Sequence, residues 1–299
     1  KLVTKAMTPR QIEDAYPALH EITRRLLKRW ETAARAGAPS DMNDDFTRYT
    51  VDTTTSLLFG RDLNTLETDG VVIQEHIHRI LPAVNARINA PFPYWHFVRL
   101  PKDRALDRAL AAVRAFVGAL TADARRALAS KSPHARKSLL EVMVELSDAP
   151  QSEFAESDLL ANVVTLLLTG EDTTAYSLAW AAHILSLDPV LQDRLAEGVR
   201  AALGDVPLPA RFEDAAALSM LEGFSLEAIR HRPVAPIISM EAIAETELDG
   251  IAVPAGTPIL ILTRPMGLDA RHFPAPDMVK PERWEAGKKS DGVADGRAY

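Results

Sequence analysis

Through the first two thirds of the chain, apolar residues recur at helical spacing between clear breakers. Residues 17–35 carry this period, and Gly37 and Pro39 end it. Ser40 and Asp41 offer caps for a helix through Thr50 and Leu58, which Gly60 stops. A helix is predicted over 71–88, kinked at Pro82 and closed by Pro91 and Pro93. Pro101 or Lys102 opens another that reaches about Leu128. A loop at 130–133 precedes helical period over 137–146.

The central helix starts near Ser157 and Asp158 and cannot pass Asp188, because Pro189 follows. That makes roughly 30 residues, or about 45 Å, enough to cross a whole molecule. Pro189 suits the first turn of the next helix, with Asp188 as its cap and Gly204 past its end. A further helix covers 218–231, ended by Pro233. After Pro236 the texture turns to β-branched runs, an Asp249-Gly250 hairpin signal and a turn from Pro254 to Gly256. The tail from Glu285 is polar and glycine-rich and reads as loop. The expected fold class is therefore mainly α, with a long central helix and small β-sheets after residue 236. One domain is expected over 1–299, helical over 1–236 and β-rich, then loop, over 237–299.

Composition narrows the choices. Of 299 residues, 47% are hydrophobic and 25% charged, which suits a globular protein with a sizeable core. A net charge of −7 argues against a nucleic-acid partner. No apolar run approaches the roughly 20 residues that span a bilayer. Cysteine is absent, so this chain holds no disulfide and no thiolate metal ligand. The first residue is Lys1, and the chain is expected to be a piece of a longer one.

Inside the long apolar helix stands TGEDTT, residues 169–174. Gly170 costs a helix interior about 1 kcal/mol against alanine, and its benefit would be close approach of a bulky or flat group. The Thr173 hydroxyl can bond back to the Thr169 carbonyl and open the helix there. Asp172 beside it adds a titratable carboxyl. Acid, alcohol and groove together form a proton-delivery device in which the alcohol orients a water and the acid links it to solvent. The competing reading is a bent helix with Glu171 and Asp172 simply exposed. Further on, Glu227 and Arg230 lie at i and i+3 of EAIR, followed by RHRPVAP, FPAPD and PERW. Arg283 offers Glu227 a second guanidinium, and a carboxylate shared by two Arg forks can be buried.

TGEDTT, EAIR with RPVAP, IAVPAGTPI, FPAPD and PERW occur in this order and together resemble the cytochrome P450 haem-thiolate monooxygenases of soluble bacterial type. The resemblance implies a partial P450 fold, haem b (iron protoporphyrin IX) and an apolar small-molecule substrate. It also implies electron transport from NAD(P)H through a ferredoxin or flavoprotein reductase, and a cytoplasmic location. By motif, Asp172 and Thr173 resemble the acid–alcohol pair of oxygen activation. Thr169, Gly170 and Thr174 resemble residues facing the haem. Val234, Ala235 and Ile237 stand where the substrate pocket is lined, and Glu227, Arg230 and Arg283 resemble the family's structural charge triad. Three features depart from the pattern. The cysteine-ligand loop is absent, so no metal ligand can be assigned; the N-terminal helices are absent too; and Met240 and Glu241 stand where a propionate-binding arginine is common. The expectation is a central fragment that is inactive alone, from a parent that inserts one oxygen atom of O2 into its substrate. The alternative is a non-catalytic helical protein that binds ligands or partners. A P450-like fold using peroxide or performing isomerisation is a third reading.

Other residues carry less. His76 and His78, at i and i+2, point to different sides of a helix and read as surface or lid residues. Trp30, Trp95, Trp180 and Trp284 read as packing. The arginine-rich stretch 103–126 reads as a solvated helix face, and Glu21/Arg24 and Glu197/Arg200 as surface pairs.

Overall fold

The structure, a computed structural model, describes residues 3, 8–68, 72–130 and 137–284. Ten α-helices are described: α1 Pro9–Arg35, α2 Met42–Phe59, α3 Val72–Ile88, α4 Pro101–Ala129, α5 Leu139–Asp148, α6 Glu156–Leu187, α7 Pro189–Leu203, α8 Phe212–Ala216, α9 Ser219–His231 and α10 Thr263–Gly267. Short 3-10 turns occupy Tyr94–His96 and Pro281–Trp284. The expected tail from Glu285 lies outside the described residues.

Local chemistry sets most boundaries. Asp41 accepts from the Asn43 and Asp44 amides, and Gly60 ends α2 at φ +63°. Ser138 and Glu141 close a reciprocal capping box on α5. Asp188 accepts from the Leu191 amide, with Pro189 in the first turn of α7. One expectation needs correction. Helix α1 begins at Pro9, not Pro17: Thr8 caps it, and Pro17 sits inside. Along 103–126 the solvated face is one side of α4, with Arg104, Asp107, Arg108, Arg114 and Arg126 exposed, while the other side buries Leu106, Ala109, Val113, Val117, Leu120 and Ala124. Asp103 is also buried; it bonds Arg87 and the Leu100 amide at the start of that helix.

The chain divides into two compact units, Lys1–Ala175 with Ala210–Phe212, and Tyr176–Pro209 with Glu213–Tyr299. In the first, α4, α5 and the N-terminal half of α6 build one apolar core around Val113, Met143 and Leu159. Helices α1 and α2 pack together there, and buried Asp45 ties them by accepting from Arg29 and Trp30 of α1. Trp30 therefore carries a polar contact beyond packing. The second unit has a smaller core of Leu191, Leu195, Phe224 and Ala228.

The β-rich part follows Pro236. Strands β1 Ile237–Glu241 and β4 Pro258–Leu262 pair antiparallel, Ile237 opposite Leu262. Strands β2 Thr246–Leu248 and β3 Ile251–Val253 form a hairpin through Asp249 and Gly250, both at positive φ. A type I′ turn needs that backbone at both central positions. Among the described residues no helix is long and apolar enough to cross a membrane.

Candidate active site

Two interleaved stripes run along α6. Leu159, Val163, Leu167, Glu171 and Ala175, spaced by four, are its buried residues. Thr165, Thr169 and Thr173, also spaced by four, lie exposed. Each threonine hydroxyl donates to the carbonyl four residues back: Thr165 to Ala161 at 2.8 Å, Thr169 to Thr165 at 2.8 Å and Thr173 to Thr169 at 2.7 Å. The expected back-bond at Thr173 is therefore present. The opened turn is not, because α6 is continuous over all 32 residues. A side-chain hydroxyl can share a carbonyl with the helical amide, and doing so at three successive turns leaves the ladder intact.

Gly170 serves packing. A Cβ there would lie 3.1 Å from Thr54 Cγ2, so the glycine lets α2 approach α6. It belongs to the packed side, whereas Thr169, Thr173 and Thr174 are exposed. Asp172 is half-buried. Glu171 is 1% exposed, and its Oε2 has no hydrogen-bond partner. Burial, with the charge of Asp172 adding to it, pushes the Glu171 carboxyl up to about 8. Neither reading of the sequence anticipated a buried Glu171. The signal was present, since position 171 continues the apolar stripe 159, 163, 167.

The charge triad assembles in the second unit. Arg230 forks onto Glu227 through Nε and Nη2, both at 2.8 Å. The Lys280 amide donates to Glu227 Oε2 at 2.8 Å, and the Trp284 indole to Oε1 at 3.0 Å. Arg283 approaches less closely, its Nε 3.6 Å from Oε2, while its Nη2 donates to the Ala275 carbonyl. The second guanidinium is thus an electrostatic neighbour, and the hydrogen bonds expected of it come from Lys280 and Trp284. Reading Trp284 as packing alone needs correction. Burial alone would raise the Glu227 carboxyl, but Arg230, the Lys280 amide and Trp284 outweigh it and hold it below its ordinary value. His231 beside them is lowered by burial and by the Arg230 charge.

Of the expected pocket residues, Val234 lines a cavity of about 420 Å³, together with Pro233, Pro236, Tyr176 and Trp180. Ala235 and Ile237 are not in its wall; both are exposed, and the Ala235 carbonyl accepts from Thr263. Met240 and Glu241 are exposed on β1. His76 is half-buried, its Nδ1 has no hydrogen-bond partner among the described residues, and the side chain of His78 lies outside them. Among the described residues Glu21 and Arg24 form the expected surface pair, and Glu197 and Arg200 do not.

The fold is mainly α with small β-sheets, and it carries a threonine row on a long helix and a buried Glu–Arg lock. The chain's residues 1–296 match the family model "Cytochrome P450". This chain belongs to the cytochrome P450 family. It is 23% identical over 304 residues to cytochrome P450 3A13 of Mus musculus, covering 98% of this chain and 59% of that protein. It is 28% identical over 270 residues to cyclooctat-9-en-7-ol 5-monooxygenase of Streptomyces melanosporofaciens, covering 89% and 56%. A crystal structure of a cytochrome P450 (CYP102L1) superposes with a TM-score of 0.83 at 21% identity, covering 98% of this chain and 66% of that one. The chain thus spans under two thirds of these relatives' length.

The residues present do not fit the iron ligation of a haem-thiolate centre. An exposed threonine row lies beside a half-buried acid on α6. No cysteine exists in the 299 residues to supply an axial thiolate. Among the described residues no group of three His, Asp or Glu side chains could hold a metal ion.

Proposed function

We propose that these residues alone do not activate oxygen, and that they form the substrate-side part of a longer haem-dependent monooxygenase. The observation that carries this is the pairing of an acid–alcohol motif and Glu–Arg lock with a complete absence of cysteine. By itself the chain is a helical scaffold suited to binding ligands or partners. The parent would insert one atom of O2 into an apolar small molecule, with electrons from NAD(P)H through a ferredoxin or flavoprotein reductase.

Haem b, held by a thiolate from outside these residues, would supply the oxygen chemistry. This chain's residues would manage protons and the pocket. Thr173 donates its own proton to the Thr169 carbonyl, which leaves its oxygen lone pairs to accept from a water and orient it. Asp172, one residue away, would relay protons from solvent to that water. Thr169 and Thr174 would face the same space, and Val234 would bound the substrate.

The test has two parts. Expressed alone and mixed with haem, reductase and NAD(P)H, the 299 residues should form no oxygenated product; turnover would overturn the first part. The coding sequence past Tyr299 should encode a glycine-rich loop with a cysteine, and the full product should give a thiolate-type carbon monoxide difference spectrum. A continuation without cysteine, or a spectrum without the thiolate signature, would overturn the second.

A further inference from the structure

The cavity bounded by Val234 also holds two arginines. Arg232 and Arg264 both line it, with Tyr176 and Trp180 as an aromatic wall. The Arg232 guanidinium carbon lies 5.2 Å from the Trp180 ring centroid, so an aromatic face fixes its position. Among the described residues no carboxylate lines the cavity, and neither Arg232 nor Arg264 forms an ion pair. That is unusual here. Two residues before Arg232, Arg230 is saturated by Glu227 and by the carbonyls of Gly267, Pro276 and Met278. The chain as a whole carries a net charge of −7, so unpaired guanidiniums gathered at one hollow stand out.

Two cations at one cavity repel each other, and a shared anion converts that repulsion into attraction. Each guanidinium presents a planar fork of donors that matches a carboxylate, and Trp180 and Tyr176 suit a flat body. The volume falls in the range that small-molecule sites occupy.

We propose that this cavity is an anion subsite that takes the carboxylate of an aromatic or apolar carboxylic acid. Arg232 and Arg264 grip the acid group, and Tyr176 and Trp180 hold the body. The carboxylate is the free acid group of a small ligand; the propionate of a porphyrin carries the same chemistry and is the outcome that overturns the proposal. Val234 bounds this same cavity in the proposed monooxygenase, so the inference rests on that reading and adds an acid group to the substrate; the naphthoate test needs no bound iron, and its failure leaves the oxygen chemistry of that reading untouched.

The test is calorimetric titration of the 299-residue chain with naphthoate and with neutral naphthamide, which has the same body. Naphthoate should bind at least about tenfold more tightly, the worth of one charge-assisted hydrogen bond. The preference should shrink in R232Q and in R264Q, and vanish in the double variant, with naphthamide binding unchanged. Equal affinity for acid and amide in the wild-type chain overturns the proposal without any variant having to fold. A preference that survives in a folded double variant, checked by circular dichroism, overturns it too. Protoporphyrin IX and its dimethyl ester separate the sources. Competition with naphthoate by the diacid and not by the ester would assign the arginines to a porphyrin propionate and overturn the proposal. Naphthoate binding without such competition supports a site for free small acids.

Discussion

Arg230 meets Glu227 edge-on, both carboxylate oxygens taken by one guanidinium in a pair whose side chains are 0% exposed. The remaining nitrogen, Nη1, donates to the carbonyls of Gly267 and Pro276. One buried ion pair therefore ties α9 to the loop that carries FPAPD. Lys280 and Trp284 extend the tie to the PERW turn.

Removing the carboxylate strands the cations. In E227A, Arg230 and Arg283, whose side chains are 0% and 6% exposed, lose their buried counter-charge. Breaking one partner of such a pair costs about 3–5 kcal/mol. The urea midpoint of the chain should fall accordingly, and a full-length E227A protein should fail to retain haem. A loss below about 1 kcal/mol, the scale of a surface pair, would show that the network adds little. The depressed Glu227 carboxyl adds a pH signature. The stability it contributes is present above its unfolded value of 4.5 and is lost as pH falls through the lower folded value.

Two glycines in helices should respond to alanine with opposite signs. At Gly223 in α9 a Cβ would collide with the Pro281 carbonyl oxygen, a backbone atom that cannot step aside alone. G223A should destabilise by about 1–3 kcal/mol, the cost of overpacking, despite alanine's better helix propensity. At Gly118 in α4 a Cβ meets nothing within 4 Å. G118A should stabilise by up to about 1 kcal/mol. Thermal unfolding of both variants decides the matter, and a shift of the same sign in both would sink the packing argument.

Much of this fold was legible because its ends are chemically marked. Asp41, Gly60, Asp188 and Gly250 act within a few residues of the boundary they set. Helices α8 and α10 escaped notice because five residues are too few to display a period. The site was legible as motifs and not as contacts. Glu227 and Arg230 are one turn apart, but Trp284 reaches Glu227 across 57 positions, and only folding reveals that bond. Glu171 was misread for a different reason. Its polar identity outweighed its position on the buried stripe of α6.

That buried acid predicts a pH response of the opposite sense to Glu227. Its folded value of about 8 lies above the unfolded 4.5, so the native state holds this proton more tightly. Its contribution is therefore complete below 4.5, declines as pH rises toward 8, and levels off above. The decline is at most about 1.4 kcal/mol per pH unit. E171Q cannot ionise and should lose the slope. Relative to wild type it should gain stability by a few kcal/mol between the acidic and alkaline ends of that window. Denaturant titrations across the range would check this, and parallel curves for the two proteins would mean that Glu171 does not titrate there.

Thr173 joins structure to the proposed chemistry, and its substitution separates the two. Its hydroxyl is already bonded to the Thr169 carbonyl, one of three such bonds along α6. Losing a bond that the helix can replace with its own amide should leave stability within about 0.5 kcal/mol. In the full-length parent, T173A should therefore bind substrate normally and consume NAD(P)H. It should form less product per NAD(P)H and release more hydrogen peroxide, because no hydroxyl oxygen holds the water that Asp172 would feed. T173S restores the oxygen without the methyl group and should recover most of the coupling. An unchanged ratio of product to NAD(P)H in T173A would mean that the threonine row is helix surface only, and that protons reach the oxygen chemistry by another route.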